Sequence, residues 1–139
     1  MKKATLIHSE LSYVIAKMGH FDQLTICDAG LPIPSAVQRI DLAVSEGVPT
    51  FMDVLKAVVS ETELESVELA VEFPEVSPQK HAELIVFLDE LRTVRNKEIP
   101  VTYISHEEFK ESTQKSVAIV RTGEFTPYAN INLKSGVVF

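Results

Sequence analysis

Hydrophobic positions along the chain switch repeatedly between a helical and a strand-like period. Leu11, Val14, Ile15 and Met18 recur at i, i+3, i+4 and i+7, the spacing of one helix face. Ser9 stands where an N-cap belongs, and Gly19 where a glycine stops a helix. Leu24 to Cys27 is a short apolar run that reads as a strand ending at Asp28-Ala29-Gly30, and Arg39 to Val44 reads as another. Thr50 precedes Phe51, Val54, Leu55 and Val58, a second amphipathic helix. Val67 to Val71 reads as a strand, after which Ser77-Pro78 supplies a cap and a first-turn proline to the longest helix, whose apolar face carries Leu84, Leu88 and Leu91. Pro100 to Ile104 is β-branched and aromatic, and Ser105 with Glu108 forms a capping box opening a helix that reaches about Gln114. Val117 to Val120, Ile131 to Leu133 and Val137 to Phe139 complete the expected strands. This alternation predicts an α/β sheet with helices packed against it.

Length adds that 139 residues make one domain, residues 1–139, with 45% hydrophobic residues enough for a real core. No repeat or low-complexity tract interrupts it, and the seven prolines are scattered. Thirteen Lys+Arg against twenty Asp+Glu leave a net charge of −7, which disfavours phosphate backbones and so nucleic acid. The longest apolar run, Leu84 to Leu88, is far short of the roughly 20 residues that membrane insertion needs. Lys2 and Lys3 precede an apolar stretch that His8 and Ser9 cut short, so no signal peptide is expected. Cys27 is the single cysteine and has no internal disulfide partner. The chain reads as cytoplasmic.

Ligands in open α/β sheets sit outside the carboxyl ends of strands, and three groups of residues fall at such places. Asp28 opens the doubly proline-stiffened loop Asp28-Ala29-Gly30-Leu31-Pro32-Ile33-Pro34; it reads either as a ligand or as a turn residue satisfying local backbone. His106 lies in the first turn of the capped helix, near the positive end of the peptide dipoles, which disfavours an imidazolium. Lys110 shares that helix face, although both residues also fit a solvated surface. Tyr128-Ala129-Asn130 occupies a loop between strands. His20 follows Gly19 at a helix C-terminus, where the dipole favours protonation, or where it simply caps. His8 and His81 have no polar neighbours that suggest a function. No Gly-rich phosphate loop, HExxH, CxxC or Gly-x-Ser-x-Gly elbow is present, so the chemistry expected is free of cofactor and metal. Such donors and acceptors suit a polyhydroxylated neutral ligand.

Met18-Gly19-His20, Cys27 to Pro34, Arg39-Ile40-Asp41, Gly47-Val48-Pro49, His106 to Lys110, Arg121 to Glu124, Pro127 to Ile131 and the terminal Gly136 to Phe139 together resemble the D-ribose pyranase family. The match is collinear over nearly the whole chain and weakens only between about Ser60 and Pro100. The resemblance implies a sugar isomerase that interconverts the β-pyranose and β-furanose forms of D-ribose in support of ribose utilisation. It implies a three-layer α/β/α sandwich with a mixed central sheet, assembled as a homo-oligomer of pentameric rings, often a decamer. His20 matches the family's proton donor, and Asp28, His106, Lys110, Tyr128 and Asn130 match its sugar-binding positions. The L-fucose mutarotases share the Gly-His and Tyr-x-Asn motifs but typically follow Asp-Ala with His-Phe-Pro, where this chain has Gly30-Leu31-Pro32. Two alternatives to the ribose reading are an L-fucose-type mutarotase and a non-catalytic sugar-binding subunit. The apolar end Val137 to Phe139 is expected to be tied down as a strand or at a subunit contact, close to Tyr128 and Asn130.

Overall fold

His8, not Ser9, caps the first helix, α1 (Ser9–Lys17): its Nδ1 accepts the Leu11 N–H at 3.2 Å, in the computed structural model, which describes residues 1–139. Serine is the commoner cap, but an imidazole nitrogen one residue earlier satisfies the same orphan N–H. The remaining elements, in chain order, are β1 (Gln23–Cys27), β2 (Arg39–Asp41), α2 (Phe51–Val59), β3 (Leu64–Ala70), α3 (Glu72–Val76), α4 (Pro78–Arg95), β4 (Val101–Ile104), α5 (His106–Thr113), β5 (Ser116–Arg121) and β6 (Ile131–Ser135). Reciprocal capping boxes open α2 (Thr50 with Asp53) and α5 (Ser105 with Glu108). Pro78 takes the first turn of α4 as expected, but the Ser77 hydroxyl donates to the Pro127 carbonyl at 2.7 Å instead of capping the helix.

The strands form one mixed sheet in the order β2-β5-β1-β6-β3-β4. β1, β2 and β5 are mutually parallel, β3 and β4 likewise, and β6 runs antiparallel to both β1 and β3. Strands β1 to β5 therefore all point one way, and β6 alone runs against them. Alternation along β1 sends Leu24 and Ile26 to one face and Cys27 to the other. The first face carries the main core with Leu11 and Val14 of α1, Leu55 and Val58 of α2, Phe73 of α3, and Leu84 and Leu88 of α4. The second face packs Cys27 and Ile119 against Leu31 and Phe109 of α5. These are the three layers of an α/β/α sandwich.

Val137 to Phe139 do not form a strand. β6 already pairs on both sides, and after Gly136 donates to the Glu63 carbonyl no unpaired edge lies beside the chain. Val138 and Phe139 are left exposed. Because β6 runs the length of the sheet, this tail lies at the end opposite to Tyr128 and Asn130, not close to them.

Candidate functional site

The five parallel strands deliver their C-terminal ends to one edge of the sheet, and the antiparallel β6 brings its N-terminal end to the same edge. Asp28 follows β1, Arg121 ends β5, His106 begins the helix after β4, and Tyr128 and Asn130 lead into β6. Asp28, His106, Arg121, Glu124 and Tyr128 line one cleft of about 560 Å³. This is the strand-end location at which open α/β sheets bind small molecules.

Asp28 and Asn130 are bonded as a pair. The Asp28 backbone N–H donates to Asn130 Oδ1 at 2.8 Å, and Asn130 Nδ2 donates to Asp28 Oδ2 at 3.0 Å. The other carboxylate oxygen, Oδ1, accepts the Gly30 N–H at 2.9 Å. Asp28 thus closes its own turn while lining the cleft. With the Leu31 N–H also facing the carboxylate, three protein donors leave lone-pair capacity for a ligand hydroxyl. Burial pushes the Asp28 carboxyl above its ordinary range, against the bonds from Gly30 and Asn130 that favour the ionised form. Its loop is fixed by the Ala29 N–H on the Glu124 carbonyl (2.8 Å) and by Arg121 Nε on the Ala29 carbonyl (3.0 Å). Arg121 is itself held by both oxygens of Asp41 at 3.2 Å.

The His106 ring lies edge-on to Tyr128, with centroids 4.9 Å apart and planes at 90°. Its Nδ1 is buried without a hydrogen-bond partner, leaving Nε2 as the ring nitrogen a ligand can reach. Tyr128 has φ 63° and follows Pro127 in a turn closed by the Ala129 N–H on the Thr126 carbonyl at 3.3 Å. Proline second and a positive φ third is the type II pattern, which normally places glycine where this tyrosine stands. A left-handed L-residue costs about 1–2 kcal/mol, so the surrounding contacts outweigh that strain. Gly123, nearby, admits no side chain: a Cβ would collide with the Ser45 and Val48 carbonyl oxygens.

Lys110 and His20 stand apart from this group. Lys110 Nζ pairs with Glu107 at 2.6 Å, on the surface of α5. His20 lies before β1, stacked on Phe21 at 4.0 Å between centroids, with Nε2 3.5 Å from Glu65. Five residues of extended strand, about 17 Å, separate it from Asp28. His8 caps α1, and His81 bonds Tyr103 at 2.7 Å beside Phe73. Cys27 is no nucleophile: burial first, then the Asp28 charge, pushes its thiol far up. Arg121 and Glu124 are cleft residues to which the sequence reading gave no role; their signal was the Arg121-Thr122-Gly123-Glu124 stretch.

The model of the RbsD / FucU transport protein family matches residues 1–138. A D-ribose pyranase of Maridesulfovibrio salexigens is 66% identical over 139 residues, all of both chains. Among solved structures, Bacillus subtilis RbsD complexed with D-ribose superposes with a TM-score of 0.90 at 39% identity, covering both chains fully. A fucose mutarotase from Streptococcus pneumoniae in complex with L-fucose gives a TM-score of 0.79 at 26% identity, again over both whole chains.

Proposed function

Since the chain belongs to the RbsD / FucU transport protein family, we infer that it is a sugar ring isomerase that interconverts the β-pyranose and β-furanose forms of D-ribose. The observation that carries this reading is the Asp28–Asn130 pair at the cleft, with lone-pair capacity left on the carboxylate. A pentose hydroxyl matches that acceptor. Tyr128 offers a ring face and a hydroxyl, and His106 Nε2 a further polar contact. Lys110 joins by leaving Glu107, an exposed pair of a kind that holds a lysine weakly.

Ring opening moves a proton from the anomeric hydroxyl while the bond from C1 to the ring oxygen breaks and that oxygen is protonated. The open-chain aldehyde then recloses through the C4 hydroxyl, which loses its proton as the carbonyl oxygen gains one. Atoms and charges balance with no oxidant or leaving group. Positioned acid–base groups contribute typically about 10²–10⁴-fold to such a step. His20 is the proton donor in this reading, and residues 1–139 act as one domain.

Within one copy His20 is out of reach of the cleft, so its role requires a second copy. The two ends of the sheet support a head-to-tail contact. The cleft end exposes Val44, Val48 and Phe125, and the His20 end exposes Phe21, Val138 and Phe139. A contact between two unlike faces closes into a ring when its rotation allows. Taking the ring size from the family resemblance, we assign the chain to pentameric rings stacked as a decamer.

The test is exchange between β-pyranose and β-furanose ribose signals by saturation-transfer NMR at catalytic protein concentration. Enhanced exchange is expected. Ribose binding without enhanced exchange would leave a sugar-binding subunit, and carbon-bound deuterium in recovered ribose would show aldose–ketose chemistry instead. Faster exchange with L-fucose than with ribose would favour the fucose-type alternative.

A further inference from the structure

Glu124 borders the cleft, yet its carboxylate is buried and already committed. Oε1 accepts the Thr126 backbone N–H at 3.3 Å and the Thr126 hydroxyl at 2.6 Å. Oε2 accepts the N–H of Phe51, the first residue of α2, at 3.1 Å and lies 3.7 Å from the Lys80 ammonium. Three hydrogen bonds and the Lys80 ion pair thus engage both oxygens, so the carboxylate is bound to the protein's own groups rather than held open for a sugar hydroxyl. Burial pushes this carboxyl up, but the Thr126 and Phe51 bonds with Lys80 outweigh it, and the net direction is downward. What these bonds hold is the turn carrying Tyr128. Thr126 is its first residue and Ala129 its fourth, and Ser77 anchors Pro127 from the other side.

We propose that Glu124 is a positioning residue for the sugar site: it pins Thr126 to the start of α2 and thereby keeps Tyr128 in its left-handed conformation at the cleft, edge-on to His106. The proposal rests on the ribose reading given above, and its test separates the two.

Ribose exchange is measured for wild type, Glu124→Gln, Tyr128→Phe and the double variant, alongside Tyr ring resonances by NMR. In Glu124→Gln the amide oxygen keeps both Thr126 donors, while its NH2 meets the Phe51 N–H and Lys80, donor against donor. KM should rise about tenfold with kcat little changed, and the double variant should lose less than the two single losses multiplied. Tyr128 ring resonances should shift or broaden. Thr126→Val, which removes only the hydroxyl, should move the same readouts less, and it serves if Glu124→Gln does not fold. Unchanged KM, multiplicative losses, or activity lost only in proportion to unfolded protein would overturn the proposal. If wild type shows no ribose exchange, the ribose reading fails, and unmoved Tyr128 resonances in Glu124→Gln then overturn the positioning role independently.

Discussion

At the C-terminal end of β1, Asp28 is held by Asn130, Gly30 and a loop pinned through Ala29; at the N-terminal end, His20 stacks on Phe21 and faces Glu65. The first end is a finished half-site, with lone pairs left over for hydroxyls and a strained Tyr128 kept in place by its neighbours. The second end carries the proposed proton donor beside exposed Phe21, at the end of the sheet that also bears the Val138-Phe139 tail. The proposed binding groups and the proposed proton donor thus lie at opposite edges of one sheet, and the strand between them keeps them apart. In the proposed reading, two such half-sites from different copies of the chain divide the work between them.

The largest effect should come from the exposed end. Replacing His20 with Ala should slow ribose exchange by about 10²–10⁴-fold while leaving ribose affinity nearly intact, because it removes a proton donor and no hydroxyl-holding group. Exchange near the wild-type rate would remove His20 from the reaction. Trimming Val137 to Phe139 comes next, and should lower both sedimentation coefficient and exchange rate together, since this tail shares the His20 end. A trimmed chain that keeps its assembly and its rate would leave the tail without a part in either.

The finished end gives subtler readouts. Asp28→Asn should weaken ribose binding by about tenfold, because an amide must point donors where the carboxylate accepts. The same variant tests the electrostatics. Burial raises the Asp28 carboxyl in the folded state, so the folded protein binds this proton more tightly than the unfolded chain does. The resulting stability is complete below the ordinary carboxylate range and is lost as pH rises through the raised value. Asn carries no such titration, so its melting temperature should gain on wild type over the pH range above the ordinary carboxylate value of about 4. A difference that stays flat across that range would contradict the burial argument.

The helices were the more legible part of the fold. The Ser105–Glu108 capping box, Thr50 before the Phe51 face and Pro78 in a first turn are local signals, and each marks an observed boundary. Helix α3 escaped notice because its five residues include Pro74 and no side-chain cap. The Val137 to Phe139 strand was expected from β-branched and aromatic propensity, which says nothing about whether an edge is free to pair with. For the cleft, Asp28, His106 and Tyr128 were visible as polar groups at strand ends. Their union with Asn130 depends on β6 running antiparallel between β1 and β3, a feature of strand order that periodicity does not encode, whereas the separation from His20 follows from the length of β1 itself. Arg121 and Glu124 were hidden for a related reason, since each acts through bonds to residues distant in sequence.

Subunit mixing tests the divided site most directly. His20→Ala and Asp28→Ala chains, each deficient alone, are unfolded together, refolded as a mixture and assayed for ribose exchange by NMR. If the site takes His20 from one copy and Asp28 from another, random assembly should restore both native residues at about a quarter of sites, with exchange to match. A mixture no more active than its two components would contradict a site shared between copies.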